Sequence, residues 1–135
     1  GIPVHQATYY FQVSRIIERI ADHATRVAHN ALALIDREVE AATLDLMDDA
    51  SALALDIFAW SMEAFHSGDI MKANTTLQKV RDLEEMTREI STRVLRYEAV
   101  TAIPVGQIAD SIRRIGEYSG DICESVINYT VGQES

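Results

Sequence analysis

The chain states one helix twice. Gln12-Val13-Ser14-Arg15-Ile16-Ile17-Glu18-Arg19-Ile20-Ala21-Asp22-His23 returns, 95 residues on and without a gap, as Gln107-Ile108-Ala109-Asp110-Ser111-Ile112-Arg113-Arg114-Ile115-Gly116-Glu117-Tyr118. The apolar steps stay in phase beyond the match, because Val27-Ala28 falls on Ile122-Cys123. A period of this length is too long for a solenoid and suits a duplicated helical unit. Polar residues are duplicated too: Arg19 falls on Arg114, and Asp22 on Glu117. Packing accounts for the isoleucines but not for an acidic residue two positions after Ile20 and again after Ile115.

Each copy asks for a long helix, and little in the chain interrupts one. The two prolines, Pro3 and Pro104, stand where helices are expected to begin, a favourable place for a residue without an N–H. Val13, Ile17, Ile20, Ala24, Val27, Ala31 and Leu34 step by four and three, as do Val105, Ile108, Ile112, Ile115, Ser119, Ile122, Val126 and Tyr129. Such stripes suit near-parallel packing in a bundle. Between them Thr43 is a candidate N-cap, and Ser67-Gly68-Asp69 supplies a stop, a left-handed-capable glycine and a new cap. The expectation is all-α: one domain over 1–135, a four-helix antiparallel bundle with helices at about 4–38, 44–66, 69–98 and 104–131. No Gly or Pro marks the break between Glu38 and Thr43, so a fused first pair, and with it an extended rod, is the competing arrangement.

Composition narrows the function. The net charge is −9, from 21 acidic against 12 basic residues, and the basic side chains are scattered, which argues against nucleic-acid binding. Cys123 is the only cysteine, so an internal disulfide is impossible, in keeping with a reducing compartment. No apolar run reaches the length of a membrane span and the start carries no signal-peptide pattern, so a cytoplasmic chain is expected. An acidic surface that meets phosphate or an anionic membrane needs a mediator, and a cation is the simplest.

With Ile17 and Ile20 at core positions, Asp22 falls on the solvent side and Glu18 beside it. Glu18 and Asp22 are four apart, so their carboxylates share one helix face within reach of a common cation, and Glu117 with Asp121 repeats that geometry. Hard oxygen ligands suit Mg, Ca, Mn or Fe. The plainer reading is a solvated outer face, and spacing alone favours it.

Glu18-Arg19-Ile20-Ala21-Asp22-His23-Ala24 followed by Val27-Ala28 resembles the signature helix of the PhoU family, the phosphate-uptake regulators. Arg114-Ile115-Gly116-Glu117-Tyr118-Ser119-Gly120-Asp121-Ile122 resembles its second copy. Such proteins are built from two three-helix repeats, each ending on a helix of this kind. The chain therefore resembles the last helix of the first repeat followed by the whole second repeat. Two helices of the usual six are then expected to be missing, and the chain opens on Gly1 rather than Met. The resemblance also implies surface clusters of Fe, Zn, Mn or Mg ions held by paired Glu/Asp-x-x-x-Asp motifs on neighbouring helices. Glu18 and Asp22 match that motif; in the second copy Arg113 stands where Glu18 would repeat, leaving Glu117 with Asp121. Arg81-Asp82-Leu83-Glu84-Glu85-Met86 resembles the family's acidic stretch and offers Asp82 and Glu84 as co-ligands. By resemblance the chain is a non-enzymatic regulator of phosphate uptake, acting with a phosphate ABC transporter or its sensor kinase at the cytoplasmic membrane face. An apolar stripe from Val13 to Leu34, unless other helices cover it, would be buried in a homodimer.

Two other classes compete. A di-iron oxidase-like enzyme would use Glu18, Asp22 and the Glu-x-x-His of Glu63 and His66, but such sites need inward carboxylates, and the register puts Glu18 and Asp22 outside. A helical dimerisation domain of a larger transcriptional regulator is compatible with the first reading. His66 reads as a favourable group near a helix C-terminus, His23 and His29 stay open as ligands, and Cys123 reads as a small packing residue. Trp60, Phe58, Met62 and Phe65 read as core or an oligomer seam. No Gly-rich phosphate loop, nucleophile with an adjacent base, or cofactor fingerprint is present.

Overall fold

A computed structural model describes residues 1–134. Pro3 opens the first helix as expected, its carbonyl accepting from the N–H groups of Gln6 and Ala7. Four α-helices follow among the described residues: α1 (Val4–Ala33), α2 (Ala41–Ser67), α3 (Ile70–Arg93), prolonged by a 3-10 turn at Val94–Arg96, and α4 (Ala99–Glu134). The chain is all-α, a four-helix antiparallel bundle.

Four boundaries differ from the sequence expectation, each for a local reason. Helix α3 ends at Arg93, short of 98, because the chain tightens into the 3-10 turn Val94–Arg96 and becomes extended at Tyr97. Helix α1 stops at Ala33, because tight turns from Leu34 to Arg37 fold Leu34 and Val39 back onto the core. The first two helices are therefore separate, and the rod does not form. Thr43 is not the cap of α2; it is buried inside that helix, where its hydroxyl accepts from Tyr97 at 2.9 Å. Helix α4 begins at Ala99, a turn and more before Pro104, since the Glu98 carbonyl already accepts from Thr101 and Ala102. Pro104 then only deprives the Val100 carbonyl of one donor near the helix start. The Ser67-Gly68-Asp69 break is as read: Gly68 takes φ 68°, and the Asp69 carboxylate accepts from the Lys72 N–H at 3.0 Å.

Tyr97 ties the upper end together, since its hydroxyl also accepts from the Glu40 N–H at 3.1 Å. Tyr97→Phe removes both bonds and should lower stability by about 1 kcal/mol in urea unfolding. An unchanged midpoint would show that water replaces the hydroxyl without loss.

Helix α4 is the hub. Its inner faces close one core with α2 and α3, in which Ile57, Leu83, Ile90 and Ile112 are fully buried, and a second with α1 around Val13, Ile16, Ile20, Ile122 and Val126. Buried hydroxyls in these helices are satisfied locally, as Thr76 donates to the Lys72 carbonyl and Ser119 to that of Ile115. Helix α1 runs antiparallel to α4, with Tyr9 stacked on Tyr129 at 4.0 Å near one end and His23 beside Ser111 further along. No Cα of α1 comes within 8 Å of one in α2 or α3. With α4 the one helix whose backbone lies that close, α1 turns Tyr9, Val13, Ile16, Ile20 and His23 inward, and at one end Tyr9 and Tyr10 also meet the Phe65 ring of α2 at 5.4 and 5.8 Å. The expected stripe is thus rotated: Ile17 is half-buried and Ala24 and Ala31 are exposed.

Candidate functional site

Helices α3 and α4 approach closely because Gly116 has no side chain. A Cβ there would run into Leu83 Cδ2. Beside this contact a groove of about 500 Å³ opens to solvent, with Leu77, Val80 and Gly120 among its apolar lining. Its polar walls are Arg81 and Glu84 from α3 and Arg114, Glu117, Tyr118, Asp121 and Glu124 from α4.

The charges are organised around Glu117 and Tyr118. Arg113 donates to both oxygens of Glu117 at 2.9 and 3.0 Å and to Asp110 at 2.6 Å. These pairings hold its guanidinium more firmly protonated, the hydrogen bond to Asp110 contributing most. Arg114 donates to the Tyr118 hydroxyl at 2.9 Å, and its guanidinium lies 5.1 Å from the ring of Tyr118. From α1, Arg19 reaches the same ring at 5.9 Å. The duplicated arginines thus meet on one tyrosine. Partial desolvation against the groove wall, reinforced by Glu124 and Glu117, pushes the carboxyl of Asp121 above the usual range, against the pull of Arg19 and Arg114, although the residue itself is exposed.

Of the six carboxylates the sequence singled out, Glu84, Glu117 and Asp121 line this groove. Asp82 does not line it; it is exposed, with Lys79 3.8 Å away. Glu18 and Asp22 are exposed on α1. Among the described residues no three His, Cys, Asp or Glu side chains are grouped to hold a metal ion. In donor chemistry the groove fits a hard cation; a ready-made coordination sphere it does not have. Sequence reasoning passed over Arg114 and Tyr118 as groove residues, although the Arg19–Arg114 repeat was the signal for the first.

The enzyme-like set is not assembled. Glu63 is paired with Lys72 at 2.6 Å and His66 is exposed. Cys123 is buried, and burial pushes its thiol up to about 11, so it packs rather than reacts. His23, open as a ligand on sequence, is buried and shares a 3.1 Å hydrogen bond with Ser111. Desolvation lowers its pKa, and Arg26 and Arg114 add to this against Asp110 and Asp22. The unfolded chain takes a proton near the ordinary imidazole value of about 6.5, whereas the folded chain resists it until lower pH. Stability should therefore fall as pH drops below about 6.5, since the unfolded state binds more protons there. His23→Asn should flatten that slope in unfolding curves between pH 7 and 5; an unchanged slope would assign it to other groups.

A bundle of four helices whose acidic groove lies between a signature-bearing helix and its neighbour defines the class. The PhoU domain family profile matches residues 47–126, which span most of α2, all of α3 and most of α4, and the chain belongs to the PhoU family. No curated protein and no solved structure matches it. Among the described residues no helix is long and apolar enough to cross a membrane.

Proposed function

We propose that the chain is a non-enzymatic, cytoplasmic regulator of phosphate uptake that acts on a phosphate ABC transporter or its sensor kinase at the membrane face. Membership of the PhoU family supports the regulatory role. The observation that carries the mechanism is the α3–α4 groove, whose walls include Glu84, Glu117, Asp121 and Glu124 beside Arg81 and Arg114, and in which Asp121 has a raised proton affinity. A carboxylate that its neighbours disfavour as an anion gains most from a cation. Glu117, Asp121 and Glu84 would hold a divalent ion such as Mn, Mg, Fe or Zn, with Glu124 beside them; Glu18 and Asp22 would offer a weaker pair on α1. The bound ion would supply positive charge that links this chain, with its net charge of −9, to an anionic phosphate or headgroup.

Phosphate uptake into proteoliposomes carrying a phosphate ABC transporter, with and without this protein and Mn²⁺, tests the reading. The protein should change the uptake rate, and more strongly with metal present. A rate indifferent to the protein under both conditions would contradict a direct action on the transporter.

A further inference from the structure

Both lysines of the chain, Lys72 and Lys79, and its one tryptophan, Trp60, line a single cavity. It measures about 370 Å³ and lies between α2 and α3, on the other flank of α3 from the acidic groove, and no residue lines both. Local structure brings the three side chains together. Gly68 turns the chain from α2 into α3 and Asp69 caps α3 through the Lys72 N–H, so the two helices run antiparallel from this point. Lys72 and Lys79 are seven residues apart, which puts them on one face of α3, about 10 Å apart along its axis, with Thr75 between them. From the facing helix, half-buried Trp60 packs one side on the core.

The free polar groups of this cavity are donors. The indole N–H of Trp60 has no protein acceptor among the described residues and is not closed off from solvent. Lys72 and Lys79 each have a carboxylate in reach, Glu63 at 2.6 Å and Asp82 at 3.8 Å, but all four side chains are between 36% and 61% exposed. Exposed pairs of this kind contribute little to stability, so an incoming anion displaces them at small cost. Asp69, the acceptor on the rim, is already engaged as the cap. The rest of the lining is chiefly the Trp60 ring and Met71. A ligand that fits must therefore join a negatively charged acceptor to a flat apolar body that stacks on the indole. The cavity is of the size that holds such a small molecule, and a nucleoside monophosphate has both parts.

We propose that the α2–α3 cavity binds a nucleoside phosphate, with the base on the Trp60 indole and the phosphate shared by Lys72 and Lys79. The site uses no metal and stands or falls without the regulatory reading. The net charge of −9 opposes any anion, so the affinity is modest and suits an abundant ligand.

Trp60 is its own reporter. Its emission in the full chain, excited at the red edge of the indole band where nucleotides do not absorb, is followed on titration with adenosine monophosphate (AMP) at low salt. EDTA is present so that no metal can carry the nucleotide to the α3–α4 groove, and equilibrium dialysis with AMP runs in parallel. The expected result is saturable binding with a Kd of roughly 0.1–1 mM, and at least about tenfold weaker binding of adenosine and of inorganic phosphate, each of which has one half of the ligand. Lys72→Gln and Lys79→Gln, at solvent-accessible side chains, should each weaken AMP at least about fivefold at unchanged helix content. Neither an emission change nor retained AMP at up to about 10 mM would overturn the proposal. So would adenosine or inorganic phosphate binding as tightly as AMP, or AMP binding that neither substitution weakens.

Discussion

Leu83→Ala is expected to cost about 2–5 kcal/mol, the usual range for emptying a fully buried leucine site. Leu83 is 0% exposed in the core between α2, α3 and α4. The same side chain forbids a Cβ at position 116, which makes the effect conditional on its neighbour. Gly116→Ala alone should destabilise by about 1–3 kcal/mol through overpacking. In the Leu83→Ala background the added methyl would enter vacated space, so the double variant should be more stable than the two single losses predict. A urea-unfolding double-mutant cycle checks this. Strict additivity would mean that α3 and α4 do not meet at this point.

Saturating divalent metal should stabilise the unsubstituted chain by about 2.7 kcal/mol at a hundredfold excess over Kd, or roughly 10 °C in Tm. The two central carboxylates should respond differently to removal. Glu117 is held by Arg113 through two hydrogen bonds, so Glu117→Gln should abolish the metal response without stabilising the metal-free chain. Asp121, though exposed, is disfavoured as an anion by partial desolvation and by Glu124 and Glu117. Asp121→Asn should therefore abolish the response and raise the metal-free Tm at neutral pH. That gain should vanish as pH falls through the carboxylate range, because a raised folded pKa makes the wild-type carboxyl costly only above its unfolded value. Thermal melts at pH 7 and pH 4 distinguish the two.

The heptad stripes and the 95-residue repeat made the four helices and their order legible, because apolar periodicity and the Ser67-Gly68-Asp69 punctuation are local signals. The end of α1 was not legible, since it depends on Leu34 and Val39 folding back onto a core that the other helices build. The inward face of α1 was misread for a related reason. With α4 the one helix whose backbone comes close, the core centres on Ile16 and His23 instead of Ile17 and Ala24. In the candidate site the acidic pairs could be read from their spacing. The pairing of Arg113 with Glu117, made within one helix, was passed over although it lay at i,i+4. The convergence of Arg19 and Arg114 on Tyr118 depends on how α1 docks against α4, which periodicity alone does not fix.

Cation binding by the α3–α4 carboxylates is decided by titration calorimetry of the metal-free chain with Mn²⁺ at pH 7, run beside the Asp121→Asn variant. The expected result is a saturable heat from the unsubstituted chain that Asp121→Asn removes. Absence of heat in both, or equal heat in both, would contradict it and leave the α3–α4 carboxylates as a solvated face.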